Sequence, residues 1–270
     1  VVTISIINLK GGVAKTLSAV NMAHILATVH SKRVLLVDND KQGNASKMFG
    51  LHSYEEMSVA EVLTEKAPDM GEIIAPTRYE NLDLIPANMN LLRANLAVMV
   101  DNTRQRETRF RKAFRAVSGS YDFCIIDNAP DINISTINAL VASDDVIIPI
   151  KIDKFAFDGL AELKEQIENT QEDLNPALRL RGCLVTSYQR NDVNAQGEEW
   201  LRTQRDFPVF ATHIRRTEKV DESTFAAAPI IEYSRRCGAA ADYLQFVREY
   251  LQMLSDSDTT GKGAAQHGKV

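Results

Sequence analysis

The chain has no apolar run of the roughly 18 residues that a membrane-spanning helix needs, so no membrane-embedded segment is expected. It has only three cysteines, Cys124, Cys183 and Cys237, odd in number and without metal-ligand spacing. That excludes a disulfide framework and a cysteine-held cluster, and predicts reduced, mostly buried thiols of a cytoplasmic protein. It also lacks net positive charge: the formal charge is −5. No general attraction to nucleic acid follows from that, although local clusters rather than the total make a binding face. No secretory leader is recognised, since the first residues already read as a core strand, and no helix-turn-helix pattern precedes them. A basic amphipathic helix at the C-terminal end is missing too, because residues 255–260 are acidic and polar.

What is present suits a globular chain. The 270 residues are 44% apolar and 25% charged, enough for one large α/β domain or two small ones. Apolar runs at 2–7, 33–38, 121–127 and 146–150 read as strands buried on both faces, as in a parallel sheet covered by helices. Shorter strands are expected at 82–85, closed by Pro86, at 183–186 and, as the last core strand, at 209–212. Three- and four-residue spacing predicts helices after residue 16, at 58–63 with Ser58 as cap, at 132–142, 155–174, 196–206 and 238–254. A long helical segment over 89–117 is expected to break near 102–107. Strands alternating with helices and no visible linker predict a single doubly wound, mostly parallel sheet with helices on both faces. Residues 1–254 form that domain, and the polar stretch 255–270 is expected to be disordered.

The stretch Asn8-Leu9-Lys10-Gly11-Gly12-Val13-Ala14-Lys15-Thr16 organises the rest. It joins the first strand to a helix, and a glycine turn at a helix N-terminus makes a phosphate site. Glycine lets backbone N–H groups approach the oxygens; a lysine neutralises their charge. The common spelling G-x-x-x-x-G-K-S/T nonetheless fails at Leu9 and Ala14. Two further strands end in carboxylates at their carboxyl edge, where open α/β sheets bind ligands. They are Asp38, followed by Asn39-Asp40-Lys41-Gln42-Gly43-Asn44, and Asp127, followed by Asn128-Ala129-Pro130-Asp131. An aspartate ending a buried strand is placed to hold a magnesium shell opposite the phosphates.

Lys10-Gly11-Gly12-Val13-Ala14-Lys15-Thr16 resembles the deviant Walker A motif, K-G-G-x-G-K-S/T, of the ParA/MinD family of P-loop ATPases, with only Ala14 departing from it. The segment at 38–44 is similar to that family's D-x-D-P-Q-G-N, with Lys41 for proline. Residues 127–130 resemble D-x-P-P, with Ala129 for the first proline. The similarity runs over about residues 2 to 250. It implies an ATPase using ATP and Mg²⁺, with nucleotide bound by Lys10, Gly11, Gly12, Val13, Ala14, Lys15, Thr16, Leu17, Asp127 and Thr186. Metal would be held by Thr16, Asp38 and Asp127. Catalysis would rest on Lys15, on Asp40 as the carboxylate that positions water, and on Lys10 reaching the nucleotide of a second subunit. The base is expected near residues 186–191 and the turn at Ile214-Arg215.

Ala14 is read as lying in the right-handed helical region, where its methyl group costs little. If the position needed φ > 0, the methyl would weaken binding.

Within the family, three functions compete. A ParA-like partition ATPase would dimerise on ATP, bind DNA without sequence preference through Arg216 and Lys219, and release it when a ParB-like partner triggers hydrolysis; it would lie in the cytoplasm on the nucleoid. A MinD-like membrane ATPase would need the basic C-terminal helix that is missing. A positioning ATPase of another kind, or a nucleotide switch with little turnover, is kept open by Ala14. Plasmid and chromosome remain equal as cargo.

Overall fold

The computed structural model describes residues 1–153, 157 and 159–266. Seven strands form one sheet: β1 (Val2–Ile6), β2 (Val34–Asn39), β3 (Ala75–Pro76), β4 (Leu82–Ile85), β5 (Phe123–Asn128), β6 (Asp145–Lys151) and β7 (Arg179–Thr186). Their order is β3-β4-β2-β5-β1-β6-β7, parallel throughout except for the short β3 against β4. The expected doubly wound architecture is what forms.

Alternation along each strand builds the layers. Leu36 and Ile125 face one side, with the helices Lys15–Thr28 and Gly238–Gln266. Leu35, Val37, Cys124 and Ile126 face the other, under Val59–Thr64, Asn90–Val100, Arg109–Val117 and Ile134–Ala142. A third cluster sits where β6 and β7 meet Leu160–Asp173. No described helix is long and apolar enough to cross a membrane.

Pro149 lies inside β6, where a missing N–H normally breaks a ladder. It is tolerated because β1 pairs with β6 only up to Ile6↔Ile147 before turning away. Past that point Asn8 replaces the strand, its Nδ2 donating to the Pro149 carbonyl at 2.8 Å.

Several elements differ from the expected ones. Residues 209–212 are not a strand. Cys183 donates to the Pro208 carbonyl and Phe210 to the Cys183 carbonyl, giving one isolated bridge, Cys183↔Val209. Gly182, at φ +153° with the Pro208 carbonyl packed against it, lets the segment run alongside β7 without a full ladder. The helix expected at 196–206 starts at Asp192, capped by Asn191, whose side chain accepts from Asn194. The helix expected from 155 is described as Leu160–Asp173; residues 154–156 and 158 lie outside the described ones. The closing helix runs past residue 254 to Gln266, so the polar stretch is helical there, and residues 267–270 lie outside the described ones. The break in 89–117 falls at 101–108, and Ser58 caps its helix through a capping box with Glu61.

Candidate nucleotide site

The loop after β1 is shaped by its own polar atoms. Asn8 Oδ1 accepts from the Lys10 N–H at 2.9 Å. Lys15 Nζ donates to the Lys10 carbonyl at 2.8 Å, closing the loop on itself. Thr186, at the end of β7, donates through Oγ1 to the Val13 carbonyl at 3.1 Å. Thr186 is therefore brought to the loop as expected, but as a clamp on its backbone.

Gly12 has φ +72° and Ala14 φ +63°. The expectation that Ala14 is right-handed is overturned: it sits in the left-handed region immediately before the helix Lys15–Thr28. Its carbonyl starts that helix by accepting from Ser18 N–H at 2.9 Å. An L-residue with a Cβ bears about 1–2 kcal/mol there that glycine would not. A Cβ added to Gly11 or Gly12 would meet nothing within 4 Å, and both border the cavity described below. At Gly12 the positive φ itself favours glycine.

The carboxylates converge from adjacent strands. Asp38 on β2 pairs in register with Asp127 on β5. Asp38 is fully buried and already engaged: it accepts from Ser46 N–H at 2.8 Å, Ser46 Oγ at 2.7 Å and Asp40 N–H at 3.2 Å. Burial raises its pKa to about 6, against the lowering by Ser46. Asp127 is buried with neither oxygen in a hydrogen bond. Burial first, then Asp38, push its carboxyl well above the usual range, while the nearby Thr16 hydroxyl and Lys15 ammonium lower it. Burial lowers the Lys15 pKa in turn, against Asp127, Asp40 and Asp131, which raise it. An unpartnered buried carboxylate beside a threonine hydroxyl is an oxygen donor set suited to a hard cation. The described residues hold no cluster of three or more His, Cys, Asp or Glu able to hold a metal alone. A magnesium ion there would take its remaining ligands from water and phosphate.

A cavity of about 590 Å³ opens over the loop, and Gly11, Gly12, Lys15, Thr16 and Asp40 border it. Its size falls in the range of small-molecule sites. Leu17, Ile214, Val220 and Tyr243 add apolar surface to its lining, and Arg216 and Thr217 line it too. Thr186, Ser187, Ile214 and Arg215, from the two segments where the base is expected, also border it. Asp40 holds its turn through a hydrogen bond from Gln42 N–H at 2.9 Å, and Lys41 pairs with Asp131 at 3.3 Å.

Three predicted residues are placed elsewhere or engaged. Lys10 pairs through Nζ with Asp153 of the same chain at 2.5 Å. Lys219 is exposed and pairs with Glu222 at 2.7 Å. Arg216 is exposed at the cavity mouth and has no ion pair among the described residues, whereas its neighbour Arg215 is held by Asp242 at 2.7 Å.

Sequence reasoning missed Lys151 and Tyr243, both on the cavity wall. Lys151 carried a signal, since it ends an apolar strand as Asp38 and Asp127 nearly do. Tyr243 carried none, because it arrives from a helix more than two hundred residues away.

The AAA domain family model matches residues 1–180. The sporulation initiation inhibitor protein Soj of Bacillus subtilis is 38% identical over 248 residues, 91% of this chain and 96% of that protein. The chromosome partitioning protein ParA of Caulobacter vibrioides is 33% identical over 257 residues, 94% of this chain and 95% of that one. Among solved structures, cobyrinic acid a,c-diamide synthase from Mycobacterium smegmatis, with a bound ATP analogue and magnesium, superposes with a TM-score of 0.81 at 28% identity, covering 95% of this chain and 96% of that one. A plasmid partition protein from Borrelia burgdorferi gives 0.71 at 25% identity, covering 92% and 98%.

Proposed function

The chain belongs to the ParA/MinD family of P-loop ATPases, and from that premise we propose that it is a partition ATPase: a nucleotide-driven dimer that binds DNA and lets go on hydrolysis. The observation that carries the nucleotide part is Asp127, a buried carboxylate with the Thr16 hydroxyl and the Lys15 ammonium close by, at the base of a loop whose glycines border the cavity. The names of the relatives, chromosome and plasmid partitioning proteins, support DNA as cargo.

In this reading the amides of residues 11–16 and the Lys15 ammonium cradle the phosphates. Thr16 and Asp127, with Asp38 shaping the adjoining turn, would hold Mg²⁺, and the ion would supply charge neutralisation at the transferring phosphate. Asp40 orients the attacking water. Lys10 exchanges Asp153 for the nucleotide of the partner subunit, where a second cation stabilises the transition state. Water attacks the terminal phosphorus, the bridging oxygen leaves with ADP, and inorganic phosphate is released. Hydrolysis is slow until a ParB-like centromere-binding protein triggers it, and the protein works in the cytoplasm on the nucleoid.

Arg216, unpaired among the described residues at the cavity mouth, and Lys219 are the residues proposed to meet DNA. Phosphate contacts of this kind are sequence-independent and weaken steeply with salt. A gel shift with ATP, ADP and no nucleotide tests the reading. Binding with ATP alone, lost in Arg216→Ala and falling with salt, is expected; equal or absent binding in all three states contradicts it. Ala14 supports a second reading, a nucleotide switch with little turnover, since its left-handed conformation strains the loop that must grip the phosphates.

A further inference from the structure

Most cations around the phosphate loop are already engaged. Lys15 donates to the Lys10 carbonyl, Lys10 pairs with Asp153, Lys41 with Asp131 and Arg215 with Asp242. Lys151 is different. It is half-buried on the cavity lining, and its ammonium makes no ion pair or hydrogen bond among the described residues. Arg216, unpaired on the same lining, is exposed and can stay hydrated. A half-buried lysine loses hydration and side-chain freedom, and nothing among the described residues offsets that loss at Lys151.

The strand register says which way it faces. Lys151 ends β6 and pairs with Thr186 at the end of β7. Lys151 lies four residues after Ile147 and Thr186 two after Leu184, and both of those pack on the side of the helix Lys15–Thr28. Alternation therefore turns Lys151 and Thr186 to one face, that of the phosphate loop. Thr186 reaches the loop there, donating to the Val13 carbonyl at 3.1 Å. The start of the loop is also held against β6, by Asn8 Nδ2 on the Pro149 carbonyl at 2.8 Å.

The sheet order fixes the flank. The strands run β2-β5-β1-β6, and the loop follows β1. Asp38 and Asp127 stand on β2 and β5, on one side of it, and Lys151 on β6, on the other. An anion lying on the loop would thus have the carboxylates on one flank and an unpaired ammonium on the opposite one.

We propose that Lys151 is a further phosphate-binding residue, donating to the oxygens of the nucleotide's phosphate chain from the flank opposite the carboxylates. A lysine ammonium meets phosphate as a compact charge with three donors, so the contact depends on charge and reach. The inference rests on the nucleotide reading of the proposed function and adds a residue that this reading does not use.

Titration with fluorescent mant-ATP, and its displacement by magnesium tripolyphosphate, tests it on wild type, Lys151→Gln and Lys151→Arg. Tripolyphosphate carries the phosphate chain without sugar or base. The melting temperature without nucleotide, expected to be unchanged in both variants, shows that a weakened titration is not unfolding. Lys151→Gln should bind mant-ATP and tripolyphosphate each about ten-fold more weakly, the scale of one charge-assisted hydrogen bond. Lys151→Arg, which keeps the charge, should stay within about three-fold of wild type. A Lys151→Gln variant that binds both ligands like wild type overturns the contact. So does one that loses mant-ATP but not tripolyphosphate, which would put the ammonium on the sugar or base, and so does an equal loss in Lys151→Arg. A wild type that binds neither ligand overturns the nucleotide reading itself, and the role of Lys151 with it.

Discussion

Lys15 Nζ donates to the carbonyl of Lys10 at 2.8 Å, so one lysine of the phosphate loop holds the backbone of the other. Lys10 meanwhile pairs with Asp153 across the loop. The two lysines are thus separately tethered, Lys15 buried and Lys10 half-buried.

That separation predicts different phenotypes. Lys15→Ala should abolish nucleotide binding, since it removes both the loop closure and the buried cation. Lys10→Ala should leave mant-ATP affinity within a few-fold and lower the hydrolysis rate by about 100-fold or more, the range for a cation supplied to a phosphoryl-transfer transition state. Equal loss of binding in both variants would contradict the division of roles.

Ala14 predicts a gain from glycine. At φ +63° the methyl group costs about 1–2 kcal/mol, partly offset by the lower unfolded-state entropy of alanine. Ala14→Gly should therefore raise stability by about 0.5–1 kcal/mol, measured by urea denaturation, and should not reduce hydrolysis. A destabilised Ala14→Gly variant would show that the loop is not held in this conformation in solution.

How far the sequence carried is clearest around this loop. Strands ending in Asp38 and Asp127 were legible because an apolar run followed by a carboxylate needs no tertiary information. The dihedral of Ala14 was not: residue type gives a preference, and here the Asn8 and Thr186 hydrogen bonds that shape the loop override it. Residues 209–212 looked like a strand by composition, but the kink at Gly182 and the proline before Val209 leave only one bridge. Arg216 and Lys219 are paired as DNA contacts in the sequence, whereas the fold gives Lys219 a carboxylate partner and sets Arg216 on the cavity lining. Tyr243 and the Lys10–Asp153 pair depend on long-range folding and had no local signature.

Asp127 and Asp38 predict a pH effect of defined sign. The folded pKa of Asp38 is about 6 and that of Asp127 higher than usual, against about 3.9 unfolded. The folded state binds more protons between these values, so their contribution to stability falls as pH rises through that window. Asp127→Asn should remove much of that slope and raise the melting temperature of the nucleotide-free protein at pH 7, by about 0.5–2 kcal/mol of stability, while abolishing hydrolysis. A variant that is less stable than wild type at pH 7 would contradict the picture of a carboxylate whose burial outweighs the Thr16 and Lys15 contacts that offset it.

His24 acts in the opposite direction. Burial lowers its pKa from 6.5 to about 4, and its ring packs edge-on to Tyr79 at 4.6 Å. Its contribution to stability is complete above pH 6.5 and is lost as pH falls towards 4, because only the unfolded chain takes up the proton. The loss reaches roughly 3 kcal/mol at most. His24→Phe should flatten that part of the denaturation profile; an unchanged profile would place His24 in contact with water.

The most direct test of the central claim, that this loop and its carboxylates form a magnesium-nucleotide site, is isothermal titration of the chain with ATP in the presence of Mg²⁺. The account predicts one nucleotide per chain, binding well below millimolar concentration, weakened when magnesium is removed and absent in Lys15→Ala. No heat of binding at millimolar ATP, or binding unchanged by Lys15→Ala, would contradict it.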